Sequence, residues 1–296
     1  MMSIGLDIGG TKIAGARFAK GGIEEARAEH PTPDNYQSFL QTCRIVADEL
    51  GAGPQIGVAM RGVFNRETGL VEKDSVLPYL SDVSLREDLE KVLGRKIILE
   101  NDANCAALAE AIDGAGAGYK TCLGVIAGTG LGSGFVVNGE VLIGANSFCG
   151  EIGHIPLPYY EDSDGDKVPC GCGQVGCLEK LVAGPALARL YKKMVGRNCG
   201  THQMAEDAAR GDADALRVLD RYYTVFAKAM VVALHSFDPE VIIVSGGLSG
   251  LPGLYEEVPK RWGRYAMAKQ PKTKFVPARY GPKAGLRGAA LLVTHL

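Results

Sequence analysis

Three cysteines stand within eight positions of the stretch "PCGCGQVGCLE", residues 169–179. The thiolates of Cys170, Cys172 and Cys177 are metal ligands, and His154 lies sixteen residues upstream of the first of them in "GEIGH". Three sulfurs and one imidazole would complete a tetrahedral zinc site with no open position, so the metal would be structural. Buried cysteines without a metal are the alternative, since a Cys-x-x-Cys redox pair is absent.

A second candidate for chemistry is Asp102 in "ENDANC", which follows an apolar stretch that predicts a buried strand. The carboxyl end of a parallel strand is where open α/β sheets bind ligands. A carboxylate there can accept a proton from a substrate hydroxyl. Asp102 could instead cap the helix that follows.

Three glycine-rich turns could bind phosphate: "DIGGTK" at 7–12, "GTGLGSG" at 128–134 and "SGGLS" at 245–249. Backbone N–H groups in such turns cradle phosphate, and in the first turn Asp7 could orient a hydrated Mg²⁺. The small residues of the third turn would leave room for a nucleobase or ribose. Each turn alone could be an ordinary hairpin or helix-starting turn, but three in one chain are more informative than one.

The elements that must position these residues alternate between strands and helices, which argues for an α/β fold. Residues 3–19 predict a strand, a tight turn and a strand. Residues 34–50 predict a helix capped by Asp34, because apolar residues recur on one face. A buried strand is predicted at 55–62.

A second helix is predicted at 84–94, with a capping box of Ser84 and Glu87 and a stop at Gly94. A strand then ends just before a helix predicted at 103–112.

The second half repeats this pattern. Residues 121–144 predict strands around glycine turns, with Asn138-Gly139 as a hairpin signal. A long helix at 214–237 and a further buried strand follow. The repetition indicates two α/β halves with a cleft between them, and 114–118 is the candidate hinge.

Composition excludes several classes of protein. The chain has 296 residues and a net charge of −2, without the basic patch that nucleic-acid binding requires. No run of 18 apolar residues predicts a membrane span, and no signal peptide is visible, so a cytoplasmic location is expected. A reducing compartment argues against disulfides among the eight cysteines.

Taken together, the motifs resemble the ROK family (repressors, open reading frames and kinases), within the sugar-kinase, hexokinase and actin-like superfamily. The matching stretches are "DIGGTKIA" at 7–14, "ENDANCAALAEA" at 100–111, "GTGLGSGF" at 128–135, "GEIGH" at 150–154, "CGCGQVGCLE" at 170–179 and "IVSGGLS" at 243–249. The resemblance implies a two-lobed actin-like/hexokinase (ribonuclease H-like) ATPase fold of the α/β class with a central ligand cleft. It implies a small N-terminal lobe at 1–117, completed by a C-terminal helix at about 280–296, and a large lobe at 118–279 that carries the zinc loop.

The resemblance also implies a role for most of the motif residues. Those that would meet the ATP phosphates are Asp7, Gly9, Gly10, Thr11 and Lys12, followed by Gly128, Thr129, Gly130 and Gly132. Gly246 and Gly247 would lie near adenosine. Asn101 and Asp102 would hold the sugar, with Asp102 as the base for the hydroxyl on C6. Glu151, His154 and Glu179 would bind ring hydroxyls. The ligands of one structural Zn²⁺ per chain would be His154, Cys170, Cys172 and Cys177. ATP would bind together with a catalytic Mg²⁺.

One position departs from the family pattern. The family usually has Gly-x-Pro-Gly near the sugar, and here "AMRGVF" places Arg61 where proline is expected. Arginine adds a charge and removes a rigid turn, so it is either a solvated loop residue or a reader of a polar group.

The stretches quoted look most like bacterial N-acetyl-D-glucosamine kinases, with the related fructokinases, mannokinases and glucokinases as the alternative and a non-catalytic sugar sensor as a distant one. A repressor of this family carries a DNA-binding segment before "DIGGTK", and the early start of that motif at Asp7 argues against one. Family kinases are commonly dimers, so a homodimer without nucleic-acid or membrane partners is expected.

Overall fold

The computed structural model describes residues 2–51, 53–73 and 76–294. Its strands are β1 (Ser3–Ile8), β2 (Lys12–Phe18), β3 (Glu24–Pro31), β4 (Gln55–Met60), β5 (Val63–Phe64), β6 (Leu70–Lys73), β7 (Val83–Ser84), β8 (Lys96–Asn101), β9 (Thr121–Ala127), β10 (Leu131–Val137), β11 (Glu140–Val141), β12 (Val241–Ser245) and β13 (Lys274–Pro277).

The helices are α1 (Tyr36–Glu49), α2 (Leu85–Leu93), α3 (Asp102–Asp113), α4 (Glu179–Val182), α5 (Gly184–Val195), α6 (Thr201–Ala209), α7 (Ala213–Ser236), α8 (Leu254–Trp262) and α9 (Ala284–Leu292). Short 3₁₀ turns lie at Pro78–Leu80, Ile152–His154, Asp162–Asp164, Gly247–Gly250 and Gly281–Lys283.

Two five-stranded sheets form the frame of the molecule. The first has the strand order β3-β2-β1-β4-β8, in which β1, β4 and β8 run parallel and β2 and β3 are antiparallel to their neighbours. The second has the order β11-β10-β9-β12-β13, in which β9, β12 and β13 run parallel. Each sheet therefore begins with an antiparallel hairpin and continues with parallel strands, and the predicted α/β class with its repeated pattern is confirmed. A small sheet of β5, β6 and β7 was not predicted.

Helices α3 and α9 lie between the two sheets and pack against each other. α9 covers β1 and β4 so closely that a Cβ atom added at Gly57 would overlap the carbonyl of Ala289. On the other side, α3 packs on β9 and β10, where a Cβ at Gly124 would lie 2.7 Å from the Cβ of Ala107. The two sheets are thus joined through a thin layer of small residues.

Two predicted helix caps are wrong. Asn35, not Asp34, is the N-cap of α1, because its side chain accepts a hydrogen bond from the backbone N–H of Ser38. Ser84 does precede α2, but its side chain makes no capping hydrogen bond, so the predicted box with Glu87 is absent. The stop at Gly94 is confirmed by its left-handed φ of 63°.

The other predicted helices and strands are confirmed with ends that differ by one or two residues; the strand predicted at 55–62 ends at Met60. Asn138 and Gly139 both have positive φ, as a two-residue hairpin turn requires. The long helix is α7, and its apolar stripe is buried against the second sheet. None of the helices in the described ranges combines the length and apolarity that crossing a bilayer requires. The division into lobes at residue 117 stays a prediction.

Candidate active site

Three parallel strands of the first sheet end at one edge of the molecule. The register pairs Ile8 of β1 with Met60 of β4, and Met60 with Asn101 of β8. The glycine turn after β1, Arg61 after β4 and Asp102 after β8 therefore lie side by side. This is the carboxyl edge of the sheet, where ligands of open α/β folds bind.

A cavity of about 550 Å³ opens at this edge. The second sheet contributes residues 128–132, which are the turn after β9 and the first two residues of β10. The predicted sugar-binding residues that line the cavity are Asn101, Asp102, Glu151, His154 and Glu179. Arg61 and Lys180 line it as well. Residues from five separate stretches of the chain thus converge on a space large enough for a monosaccharide.

The end of β8 fixes how Asn101 and Asp102 face the cavity. The side-chain oxygen of Asn101 caps α3, accepting from the backbone N–H groups of Ala103 at 2.9 Å and Asn104 at 3.3 Å. Asp102 is the first residue of α3, and its Oδ1 accepts from the N–H of Ala103 at 2.9 Å. The capping role open to Asp102 thus belongs to Asn101.

Glu100, just before this pair, is buried and holds it in place. Its Oε1 accepts from the backbone N–H of Asn101 at 2.6 Å and from Nδ2 of Asn104 at 2.9 Å. Arg66, in the turn between β5 and β6, forms a two-pronged ion pair with the Glu100 carboxylate. Sequence reasoning missed this support. The only signal for it was a charged residue at the end of an otherwise apolar strand.

Two glutamates that line the cavity, Glu151 and Glu179, have pKa values that are shifted in opposite directions. Burial raises the pKa of Glu151, and the carboxylates of Asp102 and Glu179 add to that effect while His154 opposes it. Burial also acts to raise the pKa of Glu179, but hydrogen bonds from Lys180 at 2.8 Å and from the Leu131 N–H at 3.3 Å outweigh it and lower that pKa. Glu179 is therefore held as an anion, and Glu151 binds protons more readily.

Asp7 lies beside the cavity in a narrower space of about 270 Å³ that it shares with Asp102, Gly246 and Gly285. Burial and, to a smaller extent, the nearby Asp102 raise the pKa of Asp7 to about 6, while Lys12 acts to lower it. Two carboxylates in so small a space repel each other, and a divalent cation or its hydration shell would relieve that repulsion.

Two of the three glycine-rich turns, at 128–134 and 245–249, line a common cavity. Gly128, Thr129, Gly247 and Leu248 line one cavity of about 440 Å³, so the second and third predicted turns meet there. A side chain at Gly130 would come within 2.9 Å of the Glu179 carboxylate, and one at Gly132 within 3.3 Å of Ala103. Gly246 has a left-handed φ of 85°.

The first turn is closed by a hydrogen bond from the Gly9 N–H to the Lys12 carbonyl. A side chain at Gly10 would overlap that of Val76, and Thr11 is exposed at the tip. The ammonium group of Lys12 points to Glu29 at 2.8 Å on the neighbouring strand β3.

The four predicted metal ligands form one cluster. The ligand atoms of His154, Cys170, Cys172 and Cys177 all lie within 4.8 Å of one another. Nδ1 of His154 is 3.5 Å from Sγ of Cys170, and the sulfurs of Cys172 and Cys177 are 3.6 Å apart. Tetrahedral zinc requires about 3.6 Å between nitrogen and sulfur and about 3.8 Å between two sulfurs, which these distances match.

Backbone pairing brings the cluster together. Pro156 forms a β-bridge with Cys177, and Pro169 forms one with Val175, so the segment after His154 runs beside the cysteine loop. Burial raises the pKa of Cys177 to about 12, and a metal would displace this thiol proton on binding. His154 belongs both to this cluster and to the wall of the 550 Å³ cavity.

Two known kinases resemble this chain over nearly its whole length. The N-acetyl-D-glucosamine kinase of Photobacterium profundum is 35% identical over 300 residues, covering 98% of this chain and 99% of that protein. A kinase of the same name from Yersinia enterocolitica is 34% identical, covering 98% of this chain and 99% of that protein.

Solved structures of sugar kinases superpose on this chain over nearly its whole length. The ROK hexokinase of Thermus thermophilus superposes with a TM-score of 0.85 at 33% identity, over 100% of both chains. A ROK family glucokinase from Streptomyces griseus, solved with glucose and AMPPNP, superposes with a TM-score of 0.80 at 27% identity, over 99% of both chains. The predicted actin-like/hexokinase architecture is confirmed. The family model described as ROK family matches residues 3–295, and the chain therefore belongs to the ROK family.

Proposed function

We propose that this protein is an ATP-dependent sugar kinase that phosphorylates the C6 hydroxyl of N-acetyl-D-glucosamine. The observation that carries the proposal is the convergence of Asp102, Glu151, His154 and Glu179 on one cavity that the glycine turn at 128–132 also enters. The relatives named above as N-acetyl-D-glucosamine kinases, which match nearly the whole chain, favour this sugar.

Asp102 would act as the general base. The C6 oxygen attacks the γ-phosphorus, the bond from that phosphorus to the β–γ bridging oxygen breaks, ADP leaves, and the hydroxyl proton passes to the Asp102 carboxylate. Asn101 spends its amide oxygen on capping α3, so its NH₂ group would be the part that donates to a sugar oxygen. Glu151 and Glu179 would accept from ring hydroxyls.

The nucleotide would span the two smaller cavities. The space beside Gly247 and Leu248 would hold adenosine, with Gly246 at its edge, and Gly128, Thr129, Gly130 and Gly132 would present backbone N–H groups to the phosphates. Gly9, Gly10 and Thr11 would meet the phosphates from the opposite side. Asp7 would hold Mg²⁺ through its water shell, and the ion would neutralise phosphate charge.

The clustered His154, Cys170, Cys172 and Cys177 would hold one structural Zn²⁺ per chain. The orientation of His154 supports a divided role, because Nδ1 faces Cys170 and the ring also lines the sugar cavity. Zinc would bind Nδ1, and Nε2 would be left to donate to a sugar oxygen. The metal would thereby fix the loop that presents His154 and Glu179 to the substrate.

A fructokinase, mannokinase or glucokinase is the second candidate. It is favoured by the full-length match to a hexokinase and to a glucokinase that binds glucose. A sugar sensor without turnover is less well supported, since Asp102 and all three turns are present. We further propose a homodimer in the cytoplasm, on the resemblance to family kinases and on the reduced thiols that the zinc site needs.

The test is ADP release with MgATP across N-acetylglucosamine, N-acetylmannosamine, glucose, mannose, fructose and allose. We expect kcat/KM for N-acetylglucosamine to exceed every other by at least about tenfold, which is about 1.4 kcal/mol of transition-state discrimination. A preference for glucose, mannose or fructose would replace the substrate and keep the mechanism. Absence of turnover with every sugar, in protein that binds one of them, would favour the sensor.

A further inference from the structure

The residue that departs from the family pattern occupies a central place in the site. Strand β4 lies between β1, which leads into the phosphate turn, and β8, which leads into Asn101 and Asp102. Arg61 is the first residue after β4, so it stands between the proposed phosphate donor and the proposed acceptor. It lines the 550 Å³ cavity, and its side chain is exposed there.

The charges around Arg61 leave it available to an anion. Lys12 is paired with Glu29 outside the cavity, and Lys180 is paired with Glu179 on its wall. Within the ranges that the structure describes, no carboxylate lies within 4.0 Å of the Arg61 guanidinium. Among the described residues, the cavity walls carry the carboxylates of Asp102, Glu151 and Glu179, which would repel an incoming phosphate.

Phosphoryl transfer depends on positioning and on neutralising the charge spread over the moving phosphoryl oxygens. A guanidinium is always charged and offers a planar set of donors that fits phosphate oxygens in a bidentate way. We propose that Arg61 is a catalytic residue that binds the transferring phosphoryl group, and then the 6-phosphate of the product. This inference rests on the proposed kinase function. It assigns to this chain a cation that the usual proline of the family cannot supply.

Arg61→Gln removes the charge, Arg61→Lys keeps it, and Arg61→Pro restores the usual family residue. Arg44→Gln on the exposed face of α1 is the matched control, because it removes an arginine charge that pairs with Asp48 and does not line the cavity. We expect kcat at saturating substrates to fall about 100-fold in Arg61→Gln and Arg61→Pro, and less in Arg61→Lys. The KM for sugar should stay within about threefold of the wild-type value, since only the phosphoryl group is contacted.

Calorimetry without nucleotide provides a readout independent of turnover. N-acetylglucosamine and its 6-phosphate are titrated separately into wild type and variants. We expect Arg61→Gln to weaken binding of the 6-phosphate at least about tenfold, in line with loss of a charged hydrogen bond, and to leave binding of the free sugar unchanged.

Unchanged kcat and unchanged 6-phosphate affinity would overturn the inference and make Arg61 a solvated loop residue. A raised KM and weakened binding of the free sugar, with kcat retained, would also overturn it and make Arg61 a reader of the sugar. If wild type turns over no sugar, the proposed function fails. The affinity for the 6-phosphate then still decides on Arg61.

Discussion

Asp7 and Asp102 are two acids close together at the edge of one sheet, and they differ in their surroundings. Asp102 begins a helix and lines the 550 Å³ cavity. Asp7 lies against the start of α9, and its pKa is raised to about 6, mainly by burial. Its charge is therefore unfavourable in the empty protein and becomes favourable when a cation arrives. The buried carboxylate of Asp7 would thus increase affinity for a metal-bound nucleotide and lower the stability of the fold when no nucleotide is bound.

This difference predicts a pH-dependent effect of Asp7→Asn on stability. An acid whose pKa is higher in the folded chain than in the unfolded chain destabilises the fold when it is ionised. The protonated acid therefore favours the fold fully at pH values below the pKa of the unfolded chain, and this stabilisation is lost as the pH rises through the folded pKa of about 6. Without nucleotide or Mg²⁺, Asp7→Asn should match wild type near pH 4 and exceed it by about 2–3 kcal/mol at pH 8. Urea unfolding at both pH values measures this. Asp34→Asn on the surface controls for loss of a charge, and an equal gain there would contradict the explanation.

Asp102→Asn should separate binding from chemistry. The amide keeps the size of the side chain and can still contact the sugar, but it cannot take up the hydroxyl proton. We expect the Kd for sugar to remain within a few-fold of wild type while kcat falls by about 10²–10⁴. Calorimetry measures the Kd for sugar, and a coupled assay of ADP release measures kcat. A variant that retains a third or more of the wild-type kcat would show that Asp102 is not the base.

At the scale of elements, the segment that leads into the cysteine loop is held by a buried ion pair. Lys228 of α7 is fully buried and donates to Asp164 at 2.8 Å and to the carbonyl of Tyr159 at 2.8 Å. Arg221, two turns earlier on α7, reaches the other oxygen of Asp164 at 2.5 Å. The long helix α7 thus fixes the chain between His154 and Cys170, the first two residues of the proposed zinc cluster.

Asp164→Ala should be strongly destabilising, because it leaves the Lys228 ammonium buried without its closest counter-charge. We expect a loss of about 3–5 kcal/mol in the free energy of unfolding, with zinc affinity reduced as well. Asp166→Ala, which breaks only the exposed pair with Lys193, is the control and should cost less than about 1 kcal/mol. Urea unfolding compares the two. Equal losses would show that the buried pair has no special role.

The contact between α9 and the first sheet predicts intolerance of a single methyl group. Gly57→Ala would drive a Cβ into the Ala289 carbonyl, and backbone cannot move aside as a flexible side chain can. We expect a loss of more than about 3 kcal/mol or no folded protein. At Gly200 nothing lies within 4 Å of an added Cβ, so Gly200→Ala should cost less than about 1 kcal/mol. Thermal unfolding of both variants decides, and a stable Gly57→Ala would refute the close approach.

At the scale of the whole molecule, the proposed sugar site is built from two sheets and from the cysteine loop, which are far apart in sequence. Removing zinc should therefore affect more than the loop. We expect about one zinc per purified chain, and its removal by a strong chelator should lower the melting temperature and weaken sugar binding through His154 and Glu179. Elemental analysis and calorimetry before and after chelation measure this, with readdition of zinc as the control. Folded, active protein that contains no zinc would contradict the site.

Much of this architecture could be predicted from local sequence, because its signals are local. Glycine turns, the Asn138-Gly139 hairpin and the stop at Gly94 each depend on one or two residues with special backbone freedom. The cap of α1 was missed by one position because Asp34 and Asn35 are both good caps, and only the path of the chain selects between them.

The supports of the site could not be predicted in the same way. Arg66 meets Glu100, and Lys228 meets Asp164, across 34 and 64 residues of chain. Neither partner carries a spacing signal, and their pairing follows only once the sheets are assembled. The clustering of His154 with Cys170, Cys172 and Cys177 was predictable because the three cysteines stand within eight positions and the histidine is close upstream.

The packing of α9 on β1 also constrains how the protein is made. The strands of the first sheet are complete once residue 101 leaves the ribosome, but the helix that covers one face of β1 and β4 begins only at Ala284. At translation speeds of about 5–20 residues per second, that face stays uncovered for about 10–40 s. During this interval the growing chain exposes an apolar surface to chaperones and to other nascent chains. Strands β1 and β4 are covered on this face only after α9 has been synthesised.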